Sequence, residues 1–200
     1  MTRRVLGIDP GSRVTGWGVV ELCGRDSRAL AWGTLRLDAE APIAERLEAI
    51  HAGVAELLGE HPVDAVGIEE AFVGRNVRSA IRLAEARAVC LLAARLARRD
   101  VHEVPPALVK KALTGHGRAT KETVRESVMR ALGWAEDDAL PPFDAADALA
   151  IGACVLWRLQ TPLALSPRGV GRRNRGHKRG GSRRWQASDL ERLLDQKESS

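Results

Sequence analysis

Three short stretches near the start of the chain, Arg4–Asp9, Val14–Leu22 and Ala29–Leu37, are rich in apolar residues and set off by turn residues. They read as strands, the first two joined by a tight Pro10-Gly11-Ser12 turn, and together as an antiparallel meander. A helical period follows. Ile43, Leu47, Ile50, Val54, Leu57 and Leu58 recur at the spacing of an amphipathic helix over Ile43–Leu58. Val63–Glu69 reads as a short buried strand, Asn76–Arg99 as a long Ala-rich helix, and Val101–Val104 as a strand stopped by Pro105-Pro106. Helices over Ala107–Leu113, Lys121–Leu132 and Asp144–Leu159 follow, separated by a Gly115–Ala119 loop and a Pro141-Pro142 break. Three strands, then helix, strand, helix, strand and helices predict an α/β fold, a mixed sheet of about five strands flanked by helices. No internal repeat interrupts that order.

Composition sets limits on this picture. Two hundred residues with 44% apolar content favour one domain around one core. No apolar run approaches the roughly 18–20 residues of a membrane span, and no secretory leader is legible, so a soluble, cytoplasmic protein with no membrane partner is expected. Cys23, Cys90 and Cys154 are odd in number, lack metal-ligand spacing, and read as small buried residues. The net charge of +5 is unevenly placed. Residues 166–184 carry seven Arg and one Lys against no acid, which leaves the body near neutral. A domain over 1–162 and a basic tail over 163–200 are therefore expected, the tail Gly-rich, aperiodic and disordered in isolation. Such a tail neutralises phosphates without reading sequence; a solubilising extension is the plainer alternative.

Candidate chemistry lies in the acids at element ends. Asp9 closes an apolar strand and Glu69 closes another, where an unpaired charge costs several kcal/mol. If those strands are neighbours, the two carboxylates repel unless a cation sits between them. Asp144 and Asp147, three residues apart, project from one face at the start of the last helix. Taken singly, Asp144 reads as a helix N-cap, Asp147 as a favourable first-turn charge and Asp9 as a cap of its turn. As a set, the four offer the oxygen donors and open positions that Mg²⁺ or Mn²⁺ requires. Glu70 falls on the opposite strand face from Glu69 and reads as a bystander.

The runs LGIDPGSRVTGWGVV, VGIEEAFVGRNVRSAIRLAEARAV and FDAADALAIG, with LVKKALTGHGRATKETV as a fourth, resemble the signature segments of the RuvC-type Holliday junction resolvases. These belong to the RNase H-like nuclease superfamily, and the resemblance spans about residues 3–160. It implies a homodimer that binds four-way junction DNA, nicks two strands of like polarity symmetrically, and works beside the RuvA-RuvB branch-migration motor. It places the catalytic acids on Asp9, Glu69, Asp144 and Asp147, and the aromatic that approaches unpaired bases on Phe72. A core Phe closing the strand is the other reading of that residue. Arg75, Arg78, Lys110 and Lys121 match positions that contact phosphates, although singly they read as solvated charges.

Two-metal hydrolysis, with two Mg²⁺ per site and Mn²⁺ as substitute, fits four carboxylates without a nucleophile. Asp9 is assigned the bridging role, Glu69 and Asp147 one ion each, Asp144 an ion or a water, and Lys121 the developing phosphate charge. Cleavage should leave a 5′ phosphate and a 3′ hydroxyl. Beside the resemblance, the apolar surface of the Asn76–Arg99 helix covers more than one stripe and must be covered on two sides; a place at the centre of the core would do this, and so would a two-fold interface with a second copy. A sugar-kinase or actin-like ATPase is the rival from another class, because GIDPGSRVTGWGVV resembles a phosphate loop; it would need a second lobe. An RNase H-like nuclease that trims ribosomal RNA precursors, and a non-catalytic binder of branched DNA, are the others.

Overall fold

The structure is a computed structural model and describes residues 3–24, 26–70, 77–135 and 138–160. The meander forms as β1 (Arg3–Asp9), β2 (Val14–Cys23) and β3 (Asp26–Arg36). Then come α1 (Ile43–Glu60), β4 (Ala65–Glu69), α2 (Val77–Leu96), β5 (Asp100–Val104), α3 (Pro106–Thr114), α4 (Lys121–Ala131) and α5 (Phe143–Gln160). Each element that the hydrophobic pattern predicts is present. Their ends differ by a few residues, the ordinary latitude of frayed termini.

The five strands form one sheet in the order β3-β2-β1-β4-β5. β1, β2 and β3 pair antiparallel, while β1, β4 and β5 run parallel. Parallel neighbours need crossovers, and α1 and α2 supply them. Alternation along β1 then decides the two faces. Leu6 and Ile8 point into one apolar layer with Ile50, Val54 and Leu57 of α1 and Ala86 and Cys90 of α2. Val5 points into the other, with α5 and the Val124 and Val128 stripe of α4. Fully burying each such aliphatic side chain contributes roughly 1.5–3 kcal/mol.

The last helix, α5, lies unusually close to the sheet. Gly18, Gly7 and Gly67 stand opposite one another on β2, β1 and β4, making a floor with no side chains. A Cβ on Gly7 would lie 2.6 Å from Gly152 N, and one on Gly67 2.9 Å from Val155 Cγ2. The helix answers with small residues. Ala145, Ala146, Ala148, Ala150, Gly152 and Ala153 are all buried, so its backbone rests almost directly on the strands.

Two expectations are corrected here. Cys90 and Cys154 are buried, but Cys23 is exposed, because it ends β2 at the turn made by Gly24 with φ 67°. Asp144 is not an N-cap; α5 starts at Phe143, and Asp144 lies inside its first turn. The basic tail lies outside the described residues. Among the described residues no helix is long and apolar enough to cross a membrane.

Candidate active site

β1 and β4 are parallel with Ile8 opposite Ile68, so Asp9 and Glu69 are the next residues at one end of the sheet. Both share a face with Gly7 and Gly67, the face that α5 covers. On the other side of β1, Asp9 is opposite Gly16 of β2. A Cβ on Gly16 would stand 3.1 Å from Ala145 N and closer still to the Asp144 carbonyl. The first turn of α5 thus settles on the glycine beside Asp9 and brings Asp144 there, with Asp147 one turn on. From α4, which Thr120 caps by accepting from the Thr123 N–H at 3.3 Å, Lys121 Nζ reaches Asp147 Oδ2 at 3.0 Å. Four elements remote in sequence meet at this point.

Charge and burial act together. Burial is the largest influence on Asp9; Glu69, Asp147 and Asp144 add repulsion, Lys121 opposes it, and the carboxyl is pushed up to about 7. The Glu69 carboxyl is also raised, first by burial and then by Asp147, with Lys121 and Lys110 acting the other way. Lys121 in turn is held above its ordinary value by the hydrogen bond to Asp147. A half-buried acid among three others is a place where a cation relieves repulsion that side chains alone leave in place.

Asp9, Glu69, Asp144, Asp147, Lys121 and Lys110 are therefore brought within electrostatic reach of one another. Arg78 is exposed in the first turn of α2. Phe72 and Arg75 lie outside the described residues. Glu70 is exposed, and its N–H bonds Val104 O at 2.9 Å. The donors available for an ion are all carboxylate oxygens, the hard ligands that suit Mg²⁺ and Mn²⁺. They are splayed. Among the described residues no three acidic, His or Cys side chains already make a metal cage. The donor set fits such ions in chemistry and charge.

Several supporting residues escaped the sequence reading. Thr15, fully buried, closes the Pro10–Ser12 turn: its Oγ1 accepts from Gly11 N at 3.3 Å and donates to Gly11 O at 2.9 Å. Thr15, not Asp9, satisfies the turn. Arg46 of α1 donates to Ser12 O at 3.0 Å, and Arg87 of α2 donates to Glu69 O at 2.9 Å. Only Gly16 left a trace in the sequence, as a glycine inside a strand, which marks a close approach.

A mixed five-stranded sheet in this order, with helices on both faces and carboxylates gathered where β1 and β4 end, defines an RNase H-like nuclease. The profile of the family "Crossover junction endodeoxyribonuclease RuvC" matches residues 5–155. This chain belongs to that family. The RuvC of Halorhodospira halophila is 44% identical over 169 residues, covering 84% of this chain and 99% of its own. That of Chromohalobacter salexigens is 40% identical over 182 residues, covering 90% and 92%. Among solved structures, Thermus thermophilus RuvC in complex with a Holliday junction superposes with a TM-score of 0.72 at 36% identity, covering 79% of this chain and 95% of that one. The yeast mitochondrial resolvase Ydc2, with a TM-score of 0.59 at 12% identity over 79% and 81% of the chains, shares the fold. The ATPase and ribosomal RNA readings give way to this membership.

Proposed function

We propose that this RuvC-family endodeoxyribonuclease resolves four-way DNA junctions by symmetric, divalent-metal-dependent nicking of two strands of like polarity. The observation that carries the reading is the convergence of Glu69, Asp144 and Asp147 on half-buried Asp9. Asp9 would serve both of two Mg²⁺ ions, Glu69 and Asp147 one each, and Asp144 an ion or a water. Mn²⁺, with the same donor preference, is expected to substitute. The chemistry such ions would supply is activation of the attacking water and stabilisation of the leaving 3′ oxygen. The chain's own groups hold these acids on rigid strand and helix ends, while Lys121 and Lys110 bring positive charge to the phosphate. Phe72, Arg75 and Arg78 are assigned to the DNA, Phe72 to unpaired bases at its centre.

The acting unit is proposed to be a homodimer built on α2. Only Ala86, Cys90, Ala93 and Ala94 of that helix are buried. Val77, Ile81, Ala84, Ala88, Leu92 and Leu96 form an exposed stripe at helical spacing, with Val77 66% and Leu92 53% exposed. A second copy covering this stripe would give two active sites related as the junction's arms are. Residues 1–162 are read as the nuclease domain and 163–200 as a basic tail, in a protein of the bacterial cytoplasm that works with the RuvA-RuvB motor.

The test is cleavage of a synthetic four-way junction in Mg²⁺ and in Mn²⁺, beside linear duplex and an RNA–DNA hybrid. Paired nicks bearing 5′ phosphates on the junction alone, lost in Asp9→Asn while binding persists, support the reading. Equal cutting of the hybrid, or an intact junction, overturns it. Leu92→Glu should sediment as a monomer and lose the pairing of nicks.

A further inference from the structure

The end of β4 contains a hydrogen-bonding gap. Glu70 N–H bonds β5 at Val104 O, so by alternation the carbonyl of Glu69 faces the β1 side. In the parallel register of Ile8 with Ile68, the donor that would next serve this carbonyl is the N–H of residue 10. Residue 10 is proline and has none. The strand pairing stops there, and a carbonyl left open in a buried site costs free energy comparable to a lost hydrogen bond. Arg87, reaching across from α2 with its side chain only 16% exposed, fills the gap through Nε at 2.9 Å. Its other edge pairs with Glu103 of β5. One planar guanidinium thus clasps the last residue of β4 and the neighbouring strand, a geometry that the compact ammonium of lysine does not reproduce.

We propose that Arg87 is a positioning residue for the hydrolysis: it replaces the ladder donor that Pro10 lacks and thereby fixes the backbone from which Glu69 projects. This rests on the reading of Glu69 as an active-site acid. Arg87 acts through the main chain and touches no reacting atom. Its need arises from the same Pro-Gly turn that releases the chain after Asp9.

The experiment uses the full chain and a synthetic four-way junction, with Arg87→Met, Arg87→Lys, Glu103→Gln and the double variant Arg87→Met with Pro10→Ala. Arg87→Met should lower kcat by roughly 10–100-fold, the loss usual when a ligand's support is removed, with junction Kd measured without divalent ions within about twofold of wild type. In the metal-free protein, amide hydrogen exchange should quicken at Glu69 and Glu70 while the starts of β1 and β4 keep their protection. Arg87→Lys should fall between, and Glu103→Gln, which leaves the Nε bond in place, should lose less than Arg87→Met. Pro10→Ala returns an N–H to position 10 and should recover part of the kcat lost in Arg87→Met. Wild-type kcat in Arg87→Met, or unchanged exchange at Glu69 and Glu70 in a folded Arg87→Lys, would overturn the role. Glu69→Gln is the separate check on the site: if it still cuts the junction, the reading of Glu69 fails whatever Arg87 does.

Discussion

Gly16→Ala concentrates the link between packing and chemistry in a single methyl group. The new Cβ would lie 3.1 Å from Ala145 N and within 3.0 Å of the Asp144 carbonyl, both backbone atoms that no rotamer change can move. Relief requires the first turn of α5 to rise by roughly 1 Å, a displacement that costs about 10²-fold in rate when it moves a catalytic group. Overpacking of this kind also destabilises by about 1–3 kcal/mol, or several degrees of melting temperature at this chain length. The methyl at Gly18 meets Leu149 Cδ2 at 2.6 Å, a side chain further along the helix. Gly18→Ala should therefore lose comparable stability with a smaller loss of cleavage. Single-turnover nicking of a labelled junction in saturating Mg²⁺, read beside thermal melting of the same samples, separates the two effects. Gly16→Ala within threefold of the wild-type rate at an unchanged melting temperature would refute the idea that glycine there seats Asp144 and Asp147.

Asp9→Asn should abolish nicking yet stabilise the metal-free protein above pH 7. A folded carboxyl near 7 binds its proton between about pH 4 and 7 when the unfolded one does not, so wild-type stability falls across that window and the variant escapes a penalty of roughly 2–4 kcal/mol. Melting temperatures that coincide at pH 8 would contradict it. Glu21, with its side chain 2% exposed, sits between Arg4 Nε at 2.8 Å and Arg28 Nη2 at 2.6 Å, bonds that lower its pKa. Its contribution is present above the unfolded carboxyl pKa and lost as pH falls through the folded one; wild type and Glu21→Gln should therefore differ in melting temperature at pH 7 and converge in acid. Gly59→Ala, in α1 with open space around its Cα, should stabilise by about 0.4–1 kcal/mol and leave junction cleavage unchanged, as chemical denaturation and the nicking assay would show.

Sequence alone was sufficient for the elements, because their signals are local. The short apolar runs, the spacing of α1 and the proline breaks each act within about a turn or a strand of themselves. Asp9, Glu69, Asp144 and Asp147 were legible as acids at element ends, where isolated charges need a reason. Their meeting was not, since it depends on strand order. Only the parallel pairing of β1 with β4, across some sixty residues of chain, sets Asp9 beside Glu69. Tertiary structure likewise decided that Asp144 lies within its helix, that Cys23 is exposed, and that Thr15 closes the turn. Arg87 looked like one charge among many on an Ala-rich helix. It acquires its partner only because a carbonyl eighteen positions earlier has lost its donor to proline, a gap that exists in the folded sheet and nowhere in the linear chain.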